Sequence, residues 1–277
     1  MRENIRFKQF SKILICVALL QPGTLPAAPV AVRHTEGLVH GFLVLSAMDG
    51  TPLAQGDLIQ VFASDRVTNH LVFRFKDGSV RDETAIFSQR GSFRLLTYHL
   101  VQKGPAFGPR TELSFDSSSG EVMVRYTEGD GKEKVATDRM ELPPDIANGM
   151  IFTLLKNIRP DGPLVTLSMV ATTPKPRLVK LAITSQGEDP FSVGGSKRMA
   201  VHYVVRVEIG GVAGAIAPLF GKKPPDLHVW ILGGEAPAFV KMEGPLYYGG
   251  PIWRIELANP VWPRFVSGNS KKPVSEK

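Results

Sequence analysis

The sequence predicts a mainly β protein: a long antiparallel meander, curved into a half-barrel or barrel, with one central helix near 144–157. Three observations carry this. Turn dipeptides recur at strand-length spacing, at Asp49-Gly50, Asp77-Gly78, Arg90-Gly91, Ser119-Gly120 and Asp130-Gly131. Asp-Gly favours the positive-φ backbone of tight hairpins. Between the turns, apolar and polar residues alternate with a period of two, the mark of a strand with one apolar face. A helical period appears once, after Pro143-Pro144.

The first segment, 1–28, reads as a secretory signal peptide. Arg2, Arg6, Lys8 and Lys12 precede the apolar run Ile13 to Leu20, and Pro26, Ala27, Ala28 and Pro29 follow. A basic start, a short apolar core and a small-residue exit make up such a signal. Cleavage near Ala27 to Ala31 would leave a periplasmic or secreted protein. The other reading is an uncleaved N-terminal anchor, because no A-x-A site is present. The apolar run is far shorter than the roughly 20 residues that span a bilayer. No later segment reaches that length without a charge, glycine or proline, so no mature transmembrane helix is expected. Cys16, the single cysteine, leaves with the signal. Bulky Ile15 before it argues against lipidation. The mature chain then has no disulfide, thiolate nucleophile or cysteine-ligated metal.

The remainder suits a single β-rich domain, 29–263, with a polar tail at 264–277. Its first part predicts strands at 38–47, 56–63, 69–76, 79–87, 92–101, 110–115, 121–127 and 133–140. In the third, Leu71, Phe73 and Phe75 share one face, and His70, Arg74 and Lys76 the other. Phe93 and Leu95 continue the apolar surface, and Val122, Val124 and Tyr126 repeat the pattern.

Next comes the helix, 144–157. Ile146, Met150, Ile151, Leu154 and Leu155 fall on one face. Asp145 suits the positive end of the helix and Lys156 the other. Asn148-Gly149 works against it, since Gly costs about 1 kcal/mol relative to Ala in a helix interior. The β pattern then resumes at 163–171, 177–185, 199–209, 227–232, 237–242 and 252–258. Val201, Tyr203, Val205, Val207 and Ile209 oppose His202, Arg206 and Glu208; Trp253, Ile255 and Leu257 oppose Arg254 and Glu256. The connection 210–226 is irregular, and its apolar stretch Val212 to Phe220 predicts a lid or a short helix. About fourteen strands exceed what an open twisted sheet carries without curling or splitting. A half-barrel, a closed barrel or two packed layers each satisfy this.

The formal charge, +7, is modest and partly held at Lys271-Lys272. It does not argue for nucleic acid, which needs clustered basic residues on a matching fold. Among six histidines none stands at H-x-H or H-x-x-x-H spacing, so no metal motif is read. No G-x-S-x-G elbow and no phosphate loop occur, and no cofactor is expected. Asp82 and Glu83 point to opposite strand faces and cannot converge; a solvated surface role is expected for both. The candidate ligand-binding residues are Leu71, Phe73, Phe75, Phe93, Leu95 and Trp253. They are either ordinary β core or the wall of an apolar groove for a lipid or acyl chain.

Phe73-Arg74-Phe75-Lys76-Asp77-Gly78, Leu142-Pro143-Pro144-Asp145, Gly244-Pro245-Leu246-Tyr247 and Trp253-Arg254-Ile255-Glu256-Leu257 sit in an architecture that resembles the periplasmic half-barrels of the LolA/LolB type. It is also similar to exported β proteins of the DUF3108 kind. The resemblance implies a curved antiparallel sheet with a helix in its mouth, holding a lipid or a lipidated envelope partner without catalysis. It assigns no role to individual residues. Two further functions stand beside it: a structural or assembly protein of the envelope with no small ligand, and an envelope hydrolase with a dispersed site.

Overall fold

The computed structural model describes residues 28–193, 196–208 and 224–258. The expected signal segment with Cys16, Ile209, the stretch Val212 to Phe220 and the tail 264–277 lie outside the described residues.

The first eight strands are β1 (Val39–Ala47), β2 (Pro52–Ala63), β3 (Arg66–Phe75), β4 (Val80–Arg90), β5 (Ser92–Lys103), β6 (Thr111–Asp116), β7 (Glu121–Thr127) and β8 (Glu133–Arg139). After α1 (Ile151–Asn157) come β9 (Val165–Ala171), β10 (Arg177–Val193), β11 (Ser196–Glu208), β12 (Leu227–Leu232), β13 (Ala238–Gly244) and β14 (Trp253–Leu257). The turns form as their chemistry predicts: Asp49, Asp77 and Asp130 carboxylates accept the N–H of Thr51, Ser79 and Lys132.

All fourteen strands join one curved, unclosed sheet in the order β8-β7-β6-β5-β4-β3-β2-β1-β14-β13-β12-β11-β10-β9. Each meander is local, and every neighbouring pair is antiparallel. The two are joined by a seam in the middle of the sheet, where β14 pairs with β1 through Leu43↔Leu257 and Leu45↔Ile255. The predicted alternation holds in part: Val72 and Val204 of the other parity are also buried, and Leu257, expected inward with Trp253 and Ile255, is exposed. Leu71, Phe73 and Phe75 are buried while Arg74 is exposed; Val201, Tyr203 and Val205 are buried while Arg206 is exposed. The inner faces of both meanders form one continuous core.

The helix is half as long as its apolar period suggested. It occupies Ile151–Asn157, not 144–157. Ahead of it the chain pairs with the edge of β9 instead. The Ala147 N–H donates to Ser168 O (2.8 Å), and the Ser168 N–H donates to Asp145 O (3.2 Å). Asn148 extends the pairing with its side chain, which accepts the Val170 N–H and donates to Val170 O, both at 2.9 Å. Gly149 then turns at φ +67, where a Cβ would lie 2.8 Å from Ala85 Cβ. Positive φ and this close approach both require glycine. Asp145 is correspondingly not a helix-end charge: its buried carboxylate accepts the Ser168 hydroxyl at 2.9 and 3.0 Å. Asn148→Ala should leave a buried N–H and C=O of Val170 unpaired, at a cost of about 1–3 kcal/mol. Hydrogen exchange at the Val170 amide should accelerate more than elsewhere in β9. Unchanged protection there would mean that Asn148 does not hold this edge.

α1 is pinned to the second meander and to the chain ahead of β1. Phe152 stacks on Phe239 of β13 with ring centroids 4.2 Å apart. Asn157 Oδ1 accepts the N–H groups of Arg33 and His34. Lys156 pairs with the buried Glu36 at 2.5 Å, and Gln60 of β2 donates to the same carboxylate. Among the described residues no helix is long and apolar enough to cross a membrane.

Candidate apolar cavity

The segment 145–152 does not fill the space enclosed by the curved sheet. A partly open cavity of about 280 Å³ remains between this segment and the inner face. Leu71, Phe73 and Leu100 wall it from the first meander, Val205, Met242 and Ile255 from the second, and Ile151 and Phe152 from the helix. The walls are apolar because each strand turns its apolar parity inward.

Polar side chains, among them Asn69, Gln102 and Asn148, interrupt them, and one group is charged. Arg81 and Glu83 of β4 share the inward parity of Ala85 and Phe87, both fully buried. Arg81 Nη1 donates to Glu83 Oε2 at 2.6 Å, and the Tyr98 hydroxyl donates to Glu83 Oε1 at 2.5 Å. The Arg81 and Glu83 side chains are only 9% and 12% exposed. Burial pushes the Glu83 carboxyl up, but the Arg81 charge and the two hydrogen bonds outweigh it and hold the group below its usual range. Burial and the adjacent Glu83 charge both raise the Tyr98 phenol, which stays a donor. The expectation of a solvated Glu83 is therefore corrected. Asp82 and Glu83 do face opposite sides, but Glu83 points inward because Arg81, two residues away, supplies its counter-charge. Asp82 faces out and meets His70 at 2.8 Å.

No protein-family model and no curated protein matches this chain by sequence. The chain is similar to a solved structure described as a beta-barrel-like protein of the domain of unknown function DUF1849 from Brucella abortus. The likeness spans 80% of this chain and 96% of that one, at 10% identity and a TM-score of 0.47.

The six candidate residues divide. Leu71 and Phe73 line the cavity. Phe75 and Trp253 lie beyond its lining, in an aromatic cluster: their ring centroids are 5.4 Å apart, and Phe107 is 5.1 Å from Phe75 and 6.0 Å from Trp253. Tyr247 links that cluster to the cavity wall, 5.5 Å from Phe107. Phe93 and Leu95 are buried in the core away from the cavity, with Phe93 6.0 Å from Phe87. Sequence reasoning missed Arg81, Glu83, Tyr98 and Asn148. The parity of Phe87 was the available signal for Arg81 and Glu83, since alternate residues of one strand share a face.

The five strand histidines lie on the outer face. His40 and His70 meet Asp57 and Asp82, and His99 meets Glu112. His202 is more enclosed than a solvent-facing strand residue. It stacks on Trp230 at 4.3 Å and bonds His228 at 2.9 Å. Burial, then the neighbouring His228, lowers its pKa. Among the described residues no group of three or more His, Cys, Asp or Glu is arranged to hold a metal ion.

Proposed function

We propose that this chain is an exported, non-enzymatic β protein that holds an apolar ligand, a lipid or acyl chain, free or carried by an envelope partner. The observation that carries this reading is the cavity of about 280 Å³ between segment 145–152 and the inner face of the sheet. Its size is close to that of small ligand sites, which are concave, apolar and marked by a few polar groups. The basic, apolar and small-residue layout of residues 1–28 supports export. In such a site each buried methylene contributes about 0.8 kcal/mol. Eight of them supply about 6 kcal/mol before the cost of immobilising the chain. That makes an acyl chain a sufficient ligand without catalysis or a cofactor.

The test is native mass spectrometry of mature protein purified from its own envelope, with lipid extraction and displacement of a fluorescent fatty-acid probe. Co-purified lipid and saturable displacement are expected. Val207→Trp, which puts an indole at the cavity wall, should weaken the probe by about tenfold or more while the protein still melts cooperatively. Absence of both lipid and displacement would sink the proposal. So would full affinity in a folded Val207→Trp protein.

A further inference from the structure

We infer that the ligand is electrically neutral and presents a carbonyl acceptor, as an acyl ester does, to the Arg81 guanidinium. The inference rests on the ligand-binding reading above and specifies what that ligand carries at its polar end.

Arg81 and Glu83 are the charged residues of the cavity wall, and they neutralise one another at 2.6 Å. A carboxylate or phosphate entering beside them would leave one negative charge uncompensated in a low-dielectric space. The cost of desolvating an unpaired charge opposes that. An ammonium group would likewise leave one positive charge uncompensated, because Arg81 already balances Glu83. An uncharged ligand avoids both costs.

The same pair leaves donors over. A guanidinium carries five N–H donors, and Arg81 gives one hydrogen bond among the described residues. Its Nε is buried without a partner, an arrangement proteins seldom leave unmet. Glu83 meets the guanidinium through Nη1 alone, so the Nε–H is left without it. An ester carbonyl is an acceptor without charge, so it can take up a guanidinium donor and keep the cavity neutral. The second unpartnered buried atom of the wall, Asn69 Oδ1, is an acceptor. As an acceptor it cannot pair with a carbonyl oxygen, and a ligand hydroxyl would suit it.

The test is displacement of an uncharged fluorescent naphthylamine probe from the mature protein at pH 8 by three compounds of matched chain: methyl decanoate, decanoate and undecane. The ester should displace at about tenfold lower concentration than undecane, the worth of one hydrogen bond to a charged donor. It should also outcompete decanoate. In Arg81→Met/Glu83→Leu, checked for folding by circular dichroism, the ester-to-alkane ratio should collapse to about one. Decanoate binding as tightly as the ester overturns the inference, as does an ester preference that survives in the double variant. Equal binding of all three compounds overturns the neutral-carbonyl inference and leaves the ligand-binding reading intact. Failure of the probe and every compound to bind overturns both.

Discussion

Glu83→Ala should lower the unfolding free energy by about 3–5 kcal/mol, the range for removing one partner of a buried ion pair. Three losses combine. The Arg81 guanidinium, 9% exposed, keeps its charge at any physiological pH because it does not deprotonate. The Tyr98 hydroxyl loses its acceptor. A void also opens beside Leu71 and Leu100, the residues flanking Glu83 in the two β4 registers. Removing both charges should behave differently: Arg81→Met/Glu83→Leu should fall near the parent in stability, since a packed apolar pair replaces a buried ion pair with little loss. Urea unfolding of the three proteins decides it. A Glu83→Ala protein as stable as the parent, or a double variant as weak as Glu83→Ala, would contradict this account.

The same pair has a pH signature. The folded Glu83 carboxyl lies below its ordinary value, so its contribution is complete above the unfolded pKa of about 4.3. It is lost as the pH falls through the lower folded value. The parent should therefore lose more stability below about pH 4 than the double variant does.

Phe73→Ala should cost about 3–5 kcal/mol, and its effect should couple to Gly56. Phe73 is fully buried and opposes Gly56 across β2 and β3. A Cβ at Gly56 would lie 2.5 Å from Phe73 Cε1 and 2.8 Å from Leu43 Cβ, so the ring occupies the space that a side chain at 56 would need. Gly56→Val alone should cost about 1–3 kcal/mol through overpacking. With Phe73→Ala the valine enters the vacated volume, and the double variant should be more stable than the sum of the two losses by about 1 kcal/mol or more. Strict additivity in denaturant unfolding would show that ring and glycine do not share that space. Phe73→Asp, with an unpaired carboxylate in the same position, should prevent folding.

The strand pattern was legible because burial parity and turn chemistry are local. Leu71, Phe73 and Phe75 announced an inward face, and Asp77-Gly78 its end. What stayed hidden depends on partners distant in the chain. Ile146 and Met150 fit a helical period because both are buried, yet Ile146 is buried by a bridge to β9 and Met150 in the turn at the head of α1. Hydrogen bonds from Ala147 and Asn148 to residues 168 and 170 decide between helix and bridge. Glu83 looked like a surface carboxylate because its charge favours water; the inward parity of Ala85 and Phe87 prevails once Arg81 is beside it. Of six apolar candidates, Leu71 and Phe73 face the open space and Phe93 and Leu95 do not. The crossing of segment 145–152 makes that distinction, and no strand alternation encodes it.

The seam between β1 and β14 bears on the order of assembly. Each meander grows hairpin by hairpin from neighbouring strands, so both halves fold from short-range contacts. The seam joins Leu43 to Leu257, which are separated by most of the chain, and such closures come late and slowly. Until the last strand arrives, β1 presents a bare edge on the first half-sheet, the kind of edge that recruits foreign strands. Kinetic competition between β14 and a stranger for that edge makes the final strand the natural chaperone of the first.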